Sequence, residues 1–254
     1  MKAPVHHIVQ YSGGIGSWAV AQIVAEQYGT ANMTLLFADV LSEDPDTYRF
    51  LNDSSEHLGV PVTRLCEGRT PFELFEQIRF LGNSRLAPCS SRLKIGPARG
   101  WVEEDFPDPA DCVIYVGIDR TEMRRTAGIS NGWAPYRVEF PLCWSPYRTL
   151  VKADLLDWAR AEGVQPPRLY DLGFDHNNCG GRCVRGGIRH WSHLLLTLPE
   201  RYEEAEELEN RMRANLGKDV SILREQRKGV VRNLTLTELR GRIESQRALI
   251  GDAS

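Results

Sequence analysis

The sequence predicts an α/β fold, a doubly wound and mostly parallel sheet over residues 1–150, followed by a helical, cysteine-bearing extension over residues 151–254. Three observations carry this expectation. Short apolar runs alternate with helix-length stretches through the first part of the chain, which is the pattern of βα units. The runs are near-continuous in apolar character, as strands covered on both faces require. After about Pro141 the alternation stops and helical stretches dominate. The chain has 254 residues, 42% hydrophobic and 26% charged, with 31 Lys and Arg against 34 Asp and Glu for a net charge of −3. That composition excludes a disordered chain, a collagen-like chain and a coiled-coil rod. It also excludes a global basic field able to hold nucleic acid non-specifically.

The elements follow in order. His7 to Tyr11 form the first β-rich run, ended by Ser12-Gly13-Gly14. Ser17 to Tyr28, rich in Ala, Val and Ile, predict a helix closed by Gly29. Met33 to Val40 predict the second strand. Pro45, favoured in a first helical turn, opens a helix to about Leu58. Val60 to Leu65 predict the third strand, and Thr70-Pro71 start a helix through Phe80. Cys112 to Ile118 predict the fourth strand. Lys152 to Glu162 read as an amphipathic helix stopped by Gly163. Residues 175–187, dominated by Asn, Gly, Cys and Arg, predict no regular core element. A single long helix is expected from about Ile188 to Asn215, with Glu200 to Glu209 as a solvated acidic face. Gly217 to Asn233 predict a loop or short hairpin, and Thr237 to Leu249 a last helix. Trp133, Trp144, Trp158 and Trp191 are expected in the core.

Ser12-Gly13-Gly14-Ile15-Gly16-Ser17 lies between the first strand and the first helix. Glycines let a backbone turn tightly and bring its N–H groups to a ligand, serines add hydroxyls, and a helix N-terminus adds partial positive charge. A pyrophosphate needs these groups. The Gly-Lys-Ser/Thr ending of a Walker A loop is absent. Taken alone, the residues also fit an ordinary glycine-rich βα turn.

Ser-Gly-Gly-x-x-Ser after a first strand resembles the PP-loop of the ATP-pyrophosphatase (adenine nucleotide α-hydrolase-like) superfamily. Phe37-Ala38-Asp39-Val40, with Glu43 and Pro45-Asp46-Thr47-Tyr48, resembles the second-strand motif of its phosphoadenosine phosphosulfate (PAPS) reductase-like branch. Cys89-Ser90-Ser91-Arg92-Leu93-Lys94 resembles that branch's Cys-Ser-x-x-x-Lys segment. Gly117-Ile118-Asp119-Arg120-Thr121-Glu122-Met123-Arg124-Arg125 resembles its Gly-x-x-x-x-Glu-x-x-Arg motif. Tyr170 to Cys183, with Leu198 to Tyr202, resembles a bacterial and phage subgroup of that branch. The resemblance spans about residues 7–195 in consistent order. It implies nucleotide bound at the carboxyl ends of the strands. Ser12, Gly13, Gly14, Gly16 and Ser17 would then cradle phosphates, with Asp39 near the nucleotide. Arg92 and Lys94 would face phosphate or a second substrate, and Lys94, Glu122 and Arg125 would complete the catalytic site. ATP or a related adenine nucleotide, with Mg²⁺, is the implied ligand. The plain alternative for Glu122 and Arg125 is an i,i+3 surface ion pair.

The six cysteines are sparse, and in a cytoplasmic chain they are expected to be buried, metal-bound or reactive rather than disulfide-paired. Cys179-Gly180-Gly181-Arg182-Cys183 has spacing and glycine content that suit zinc or iron–sulfur. It needs a further ligand, for which Cys89 is the candidate. Three cysteines suggest a [4Fe–4S] cluster with one open iron, by analogy with sulfur-transferring members of the superfamily. His176 as a fourth ligand would give Zn²⁺ instead, and free thiols are the remaining reading. Cys66, Cys112 and Cys143 are expected to be buried.

A PAPS reductase uses a cysteine near its C-terminus, and no cysteine follows Cys183 here. That places thiol attack by that route in doubt, although Cys179 or Cys183 could substitute; the function the resemblance implies first is cleavage of ATP between its α and β phosphates, adenylation of an acceptor, and sulfur transfer to it from an unidentified donor. The alternatives are sulfonucleotide reduction and a non-catalytic nucleotide-binding subunit of a DNA-modification or phage system. A nucleobase in tRNA or DNA is the expected acceptor, met through Arg182, Arg185 and Arg189 beside His190. Those arginines read equally as a solvated face balanced by glutamates. A homodimer is compatible with the sequence. No apolar run approaches the roughly 18 residues of a membrane span, and Met1 to His7 lack a secretory pattern, so a cytoplasmic location is expected.

Overall fold

The structure, a computed structural model, describes residues 5–251. Five parallel strands, β1 (His6–Gln10), β2 (Met33–Asp39), β3 (Val62–Cys66), β4 (Cys112–Tyr115) and β5 (Arg137–Glu139), pair in the order β3-β2-β1-β4-β5. The chain runs outward from β1 to β3 and returns to the other side of β1 with β4. The order therefore reverses between β1 and β4, and the crevice at the carboxyl ends there is where such sheets bind ligands.

Alternate residues of each strand enter opposite cores, as the pleat dictates. Val9, Leu35, Phe37, Val113 and Tyr115 pack with α1 (Ile15–Tyr28), α2 (Pro45–Leu58) and α6 (Lys152–Ala161). Ile8, Leu36 and Ile114 pack with α4 (Gly96–Asp105) and α5 (Thr126–Trp133) on the other face. Helices thus cover both faces, and the doubly wound architecture is as expected. A third apolar cluster joins α3 (Pro71–Gln77) to the extension, which contains α7 (Arg168–Asp171), α8 (Ile188–Thr197), α9 (Pro199–Leu216) and α10 (Leu236–Gly251). No helix among the described residues is long and apolar enough to cross a membrane.

Several expectations are corrected. The helix expected over 188–215 is two helices, because Pro199 lacks an N–H and disfavours helical backbone at the residue before it. Leu198 accordingly has φ −135° and ψ 66°, and Pro199 starts α9. The segments α4, α5 and β5 were not expected. Residues 96–105 carry glycines, a proline and charges around only Ala98 and Val102 as fully buried positions, and β5 is a three-residue edge strand without an apolar run. Cys112 is buried as expected, but Cys66 is exposed and Cys143 half-buried, the latter donating to Ile118 O. Trp133 and Trp191 are buried, while Trp144 and Trp158 are partly buried over α1.

The face Glu200–Glu209 is not wholly solvated. Glu209 is fully buried, and its carboxylate accepts from Ile222 N–H at 2.8 Å and Leu236 N–H at 2.6 Å. These bonds hold both ends of the hairpin β6 (Leu223–Arg227) and β7 (Val230–Leu234), whose turn residues Lys228 and Gly229 both have positive φ. Replacing Glu209 with Ala leaves two buried N–H groups without acceptors, each costing about 1–3 kcal/mol. Urea unfolding of Glu209→Ala is expected to show a loss of about 3 kcal/mol, against less than about 1 kcal/mol for Glu203→Ala on the exposed face of α9.

Candidate functional site

The glycine-rich loop leaves the carboxyl end of β1 and turns into α1. Gly13 has φ +74°, and a Cβ there would stand 2.6 Å from Thr47 Cγ2, so the position admits only glycine. Ser17 Oγ donates to Gly14 O at 2.7 Å. Ser12 is exposed, with its hydroxyl 3.4 Å from that of Ser17. The segment after β4 meets the loop closely, since a Cβ on Gly117 would lie 2.9 Å from the Gly16 carbonyl carbon. The structure thus brings the loop and Gly117 together at the β1/β4 switch point.

Asp39 ends β2 with no exposed side-chain surface. Its Oδ1 accepts from Leu41 N–H at 2.7 Å and Tyr48 O–H at 2.9 Å, and its Oδ2 pairs with Arg64. Two buried carboxylates follow. Glu43 Oε1 accepts from Lys94 Nζ at 3.1 Å, and Oε2 accepts from Cys179 N–H at 2.5 Å. Asp44 caps α2 by accepting from Asp46 N–H at 2.8 Å, and binds Arg168 Nη2 at 2.9 Å and Arg201 Nη1 at 2.6 Å. Burial alone would raise the Asp44 carboxyl, but the hydrogen bonds from Arg168, Asp46 N–H and Arg201 outweigh it and hold the group below its ordinary value.

Cys89 precedes a π-helical turn, Ser90–Ile95, that exposes Arg92 and turns Lys94 inward. Burial would favour a neutral Lys94 amine, but the Glu43 carboxylate prevails and holds it as an ammonium. Cys179 lies in a tight turn, Asn178–Gly181, with φ +53°. The Cys179 and Cys183 thiols are near enough to act on each other, and the Arg185 N–H acts on Cys183 Sγ. Their mutual influence pushes the Cys183 thiol down toward thiolate and the Cys179 thiol up. Burial, then Cys183 as a neighbouring charge, pushes the Cys89 thiol up. Cys89, Cys179, Cys183, Lys94 and Glu43 therefore share one neighbourhood. Even so, no three His, Cys, Asp or Glu side chains among the described residues are so placed as to hold a metal.

The structure also places residues that sequence reasoning missed. Asn177 Nδ2 donates to Gly13 O at 3.2 Å and Thr47 Oγ1 at 2.8 Å, and the Tyr170 phenol oxygen accepts from Ile15 N–H at 3.1 Å. With Asp44, Arg168 and Arg201 they fasten the extension to the loop. Partners more than 120 residues apart leave no spacing signal; the hints were the unusual composition of 175–187 and the resemblance over Tyr170 to Cys183 and Leu198 to Tyr202. His176 stacks on His190, with ring centroids 4.8 Å apart, and burial pushes it down to about 4, so it is neutral near pH 7.

Glu122 and Arg125 pair with each other on an exposed 3₁₀ turn after β4. Arg182 pairs with Glu204 and Arg189 with Asp175, both at 2.5 Å, while Arg185 is exposed.

No family model and no curated protein matches this chain. Among solved structures, it is similar to phosphoadenylyl-sulfate (PAPS) reductase from Candida auris in its phosphate complex. The identity is 13%, the match covers 67% of this chain and 78% of that chain, and the TM-score is 0.42.

Two expectations follow from this geometry. Alkylation by iodoacetamide, followed by peptide mass spectrometry from pH 5 to 10, is expected to label Cys183 ahead of Cys179 and Cys89. Cys179→Ala is expected to move the Cys183 profile to higher pH by removing the neighbouring thiol that lowers it. Asp44 has a folded pKa below its ordinary 3.8, so its contribution to stability is present above that value and lost as pH falls through the folded one. Asp44→Asn is expected to flatten the acid limb of a stability–pH curve below about pH 4.

Proposed function

We propose that the chain is a PP-loop enzyme that seats an adenine nucleotide with its phosphates on Ser12–Ser17 and its chemistry beside the Cys179–Cys183 turn. The observation that carries this reading is that the phosphate loop and the thiol pair share one end of the sheet, joined by Asn177 to Gly13 and by Cys179 to Glu43. In the reading preferred here, the substrate is ATP. An acceptor oxygen attacks the α phosphorus, pyrophosphate leaves, and sulfur then displaces AMP from the adenylated acceptor. Loop N–H groups and the Ser12 and Ser17 hydroxyls would receive the charge growing on pyrophosphate, and Mg²⁺ would enter on the phosphate oxygens. Asp39 would lie near the nucleotide. Lys94, held charged by Glu43, and Arg92 would face the anionic substrate. Glu122 and Arg125 would exchange their mutual pair for substrate contacts.

Cys89, Cys179 and Cys183 are the thiols that would hold a [4Fe–4S] cluster or Zn²⁺. All three are free thiols in the structure, and the chemistry proposed here uses them as thiols. An RNA or DNA acceptor would compete with Glu204 and Asp175 for Arg182 and Arg189.

The contact between Cys179 and Cys183 favours one second reading, sulfonucleotide reduction. The Cys183 thiolate would attack the sulfonate sulfur, breaking its bond to the phosphate oxygen and releasing the nucleotide. The Cys179 thiol would then attack Cys183 Sγ, releasing sulfite and leaving a disulfide for an external dithiol to reduce.

The test is an assay of the full chain under both conditions. Pyrophosphate release from Mg·ATP that depends on added tRNA or DNA supports the first reading. Sulfite release from PAPS or adenylylsulfate with dithiothreitol decides for the second. Failure to bind any of these nucleotides overturns both. Gly13→Ala is expected to weaken nucleotide binding at least about tenfold, through the Thr47 clash and the strained φ. Cys183→Ser is expected to stop the sulfur step and leave nucleotide affinity within about twofold, measured by calorimetry.

A further inference from the structure

The extension places a phenol over the phosphate loop. Tyr170 lies on α7, and its oxygen accepts from Ile15 N–H at 3.1 Å. A Cβ on Gly14 would stand 3.3 Å from that oxygen. The hydroxyl thus sits at the first turn of α1, among the N–H groups that a phosphate would use. The ring packs against the α1 side of the sheet. Burial pushes its pKa up, so the group is a neutral phenol with a proton to give. Among the described residues that proton meets no acceptor.

The phenol is also held in place. Arg168 N–H donates to Asp46 Oδ2 at 2.7 Å, and the Arg168 guanidinium binds Asp44. A second group points the same way. Asn177 is 4% exposed, and while its Nδ2 binds Gly13 O, its Oδ1 is buried without a partner. Buried amide oxygens rarely go unmatched, and this one stands beside the loop.

Resting on the reading of Ser12–Ser17 as a phosphate loop, we propose that Tyr170 is a phosphate-binding residue of that site. Its O–H donates to a non-bridging oxygen of the pyrophosphate group while its oxygen keeps Ile15 N–H oriented. Asn177 Oδ1 accepts from a water or hydroxyl carried with the nucleotide. The phosphate site is then completed from the extension, and its ligand class is a di- or triphosphate.

The experiment uses the full chain with inorganic pyrophosphate as the probe and ATP in parallel, by titration calorimetry. Tyr170→Phe keeps the ring and removes the donor. It is expected to weaken pyrophosphate binding by about tenfold or more, as for a lost hydrogen bond to a charged group. Because Tyr170→Phe also removes the Ile15 acceptor and can disturb folding, a second measurement keeps the native hydroxyl. With 3-fluorotyrosine at position 170, the ¹⁹F signal is expected to shift on titration with the same Kd as calorimetry. Equal or tighter binding by Tyr170→Phe, or a fluorine signal indifferent to bound pyrophosphate, overturns the proposal; tighter binding would mean that the phenol competes for Ile15 N–H. If the unmodified chain binds neither pyrophosphate nor ATP, the phosphate-loop reading falls as well. If it binds them and Tyr170 does not respond, only this proposal falls.

Discussion

Two adjacent buried carboxylates, Glu43 and Asp44, set the arrangement of everything around the carboxyl end of the sheet. A buried charge without partners is costly, and removal of one partner from a buried pair costs about 3–5 kcal/mol. Both groups are fully served. Glu43 receives Lys94 from the turn after α3 and the Cys179 N–H from the extension. Asp44 receives the Asp46 N–H, Arg168 from α7 and Arg201 from α9. Satisfying two neighbouring residues therefore requires four distant segments to converge on one end of one strand. That convergence turns a βα fold with an appended helical region into a single site.

The same carboxylates shape the chemistry of the thiols. Glu43 holds Lys94 as a cation and, through the Cys179 N–H, fixes the turn that places Cys179 against Cys183. The positive φ of Cys179 and Gly180 is sustained by this packing: a Cβ on Gly180 would meet Ser42 O at 3.2 Å and Arg201 Nη1 at 3.3 Å. A non-glycine residue held in the left-handed region beside a second thiol is local strain of the kind that clusters at functional sites. Cys183 is the thiol that this environment favours as a thiolate, and Cys179 is its proton-bearing neighbour.

Much of the fold was legible in the residues because burial on both faces leaves a direct mark. Met33–Asp39 and Cys112–Tyr115 are apolar runs because each alternate residue enters a different core. The glycine-rich loop after β1 was legible because its backbone conformation demands glycine at Gly13. Edge and surface elements left no such mark, so β5, α4 and α5 went unseen. The break at Leu198-Pro199 was written in the sequence but outweighed by the helical composition around it. The burial of Glu209 was not written there, because an acidic residue on a helix looks the same whether it meets water or two N–H groups.

The sequence by itself determined the βα order, the tight loop after β1 and the presence of two cysteines in a glycine-rich turn. These follow from local rules of periodicity, backbone freedom and spacing. Only the tertiary structure decided that Asn177 and Tyr170 touch the glycine-rich loop, that Glu43 holds Lys94 next to the thiols, and that Glu122 and Arg125 face each other. The reason is physical: hydrogen bonds and ion pairs are local in space and not along the chain. A donor at Asn177 and an acceptor at Gly13 carry no sign of one another until the sheet and its buried carboxylates bring them within 3.2 Å.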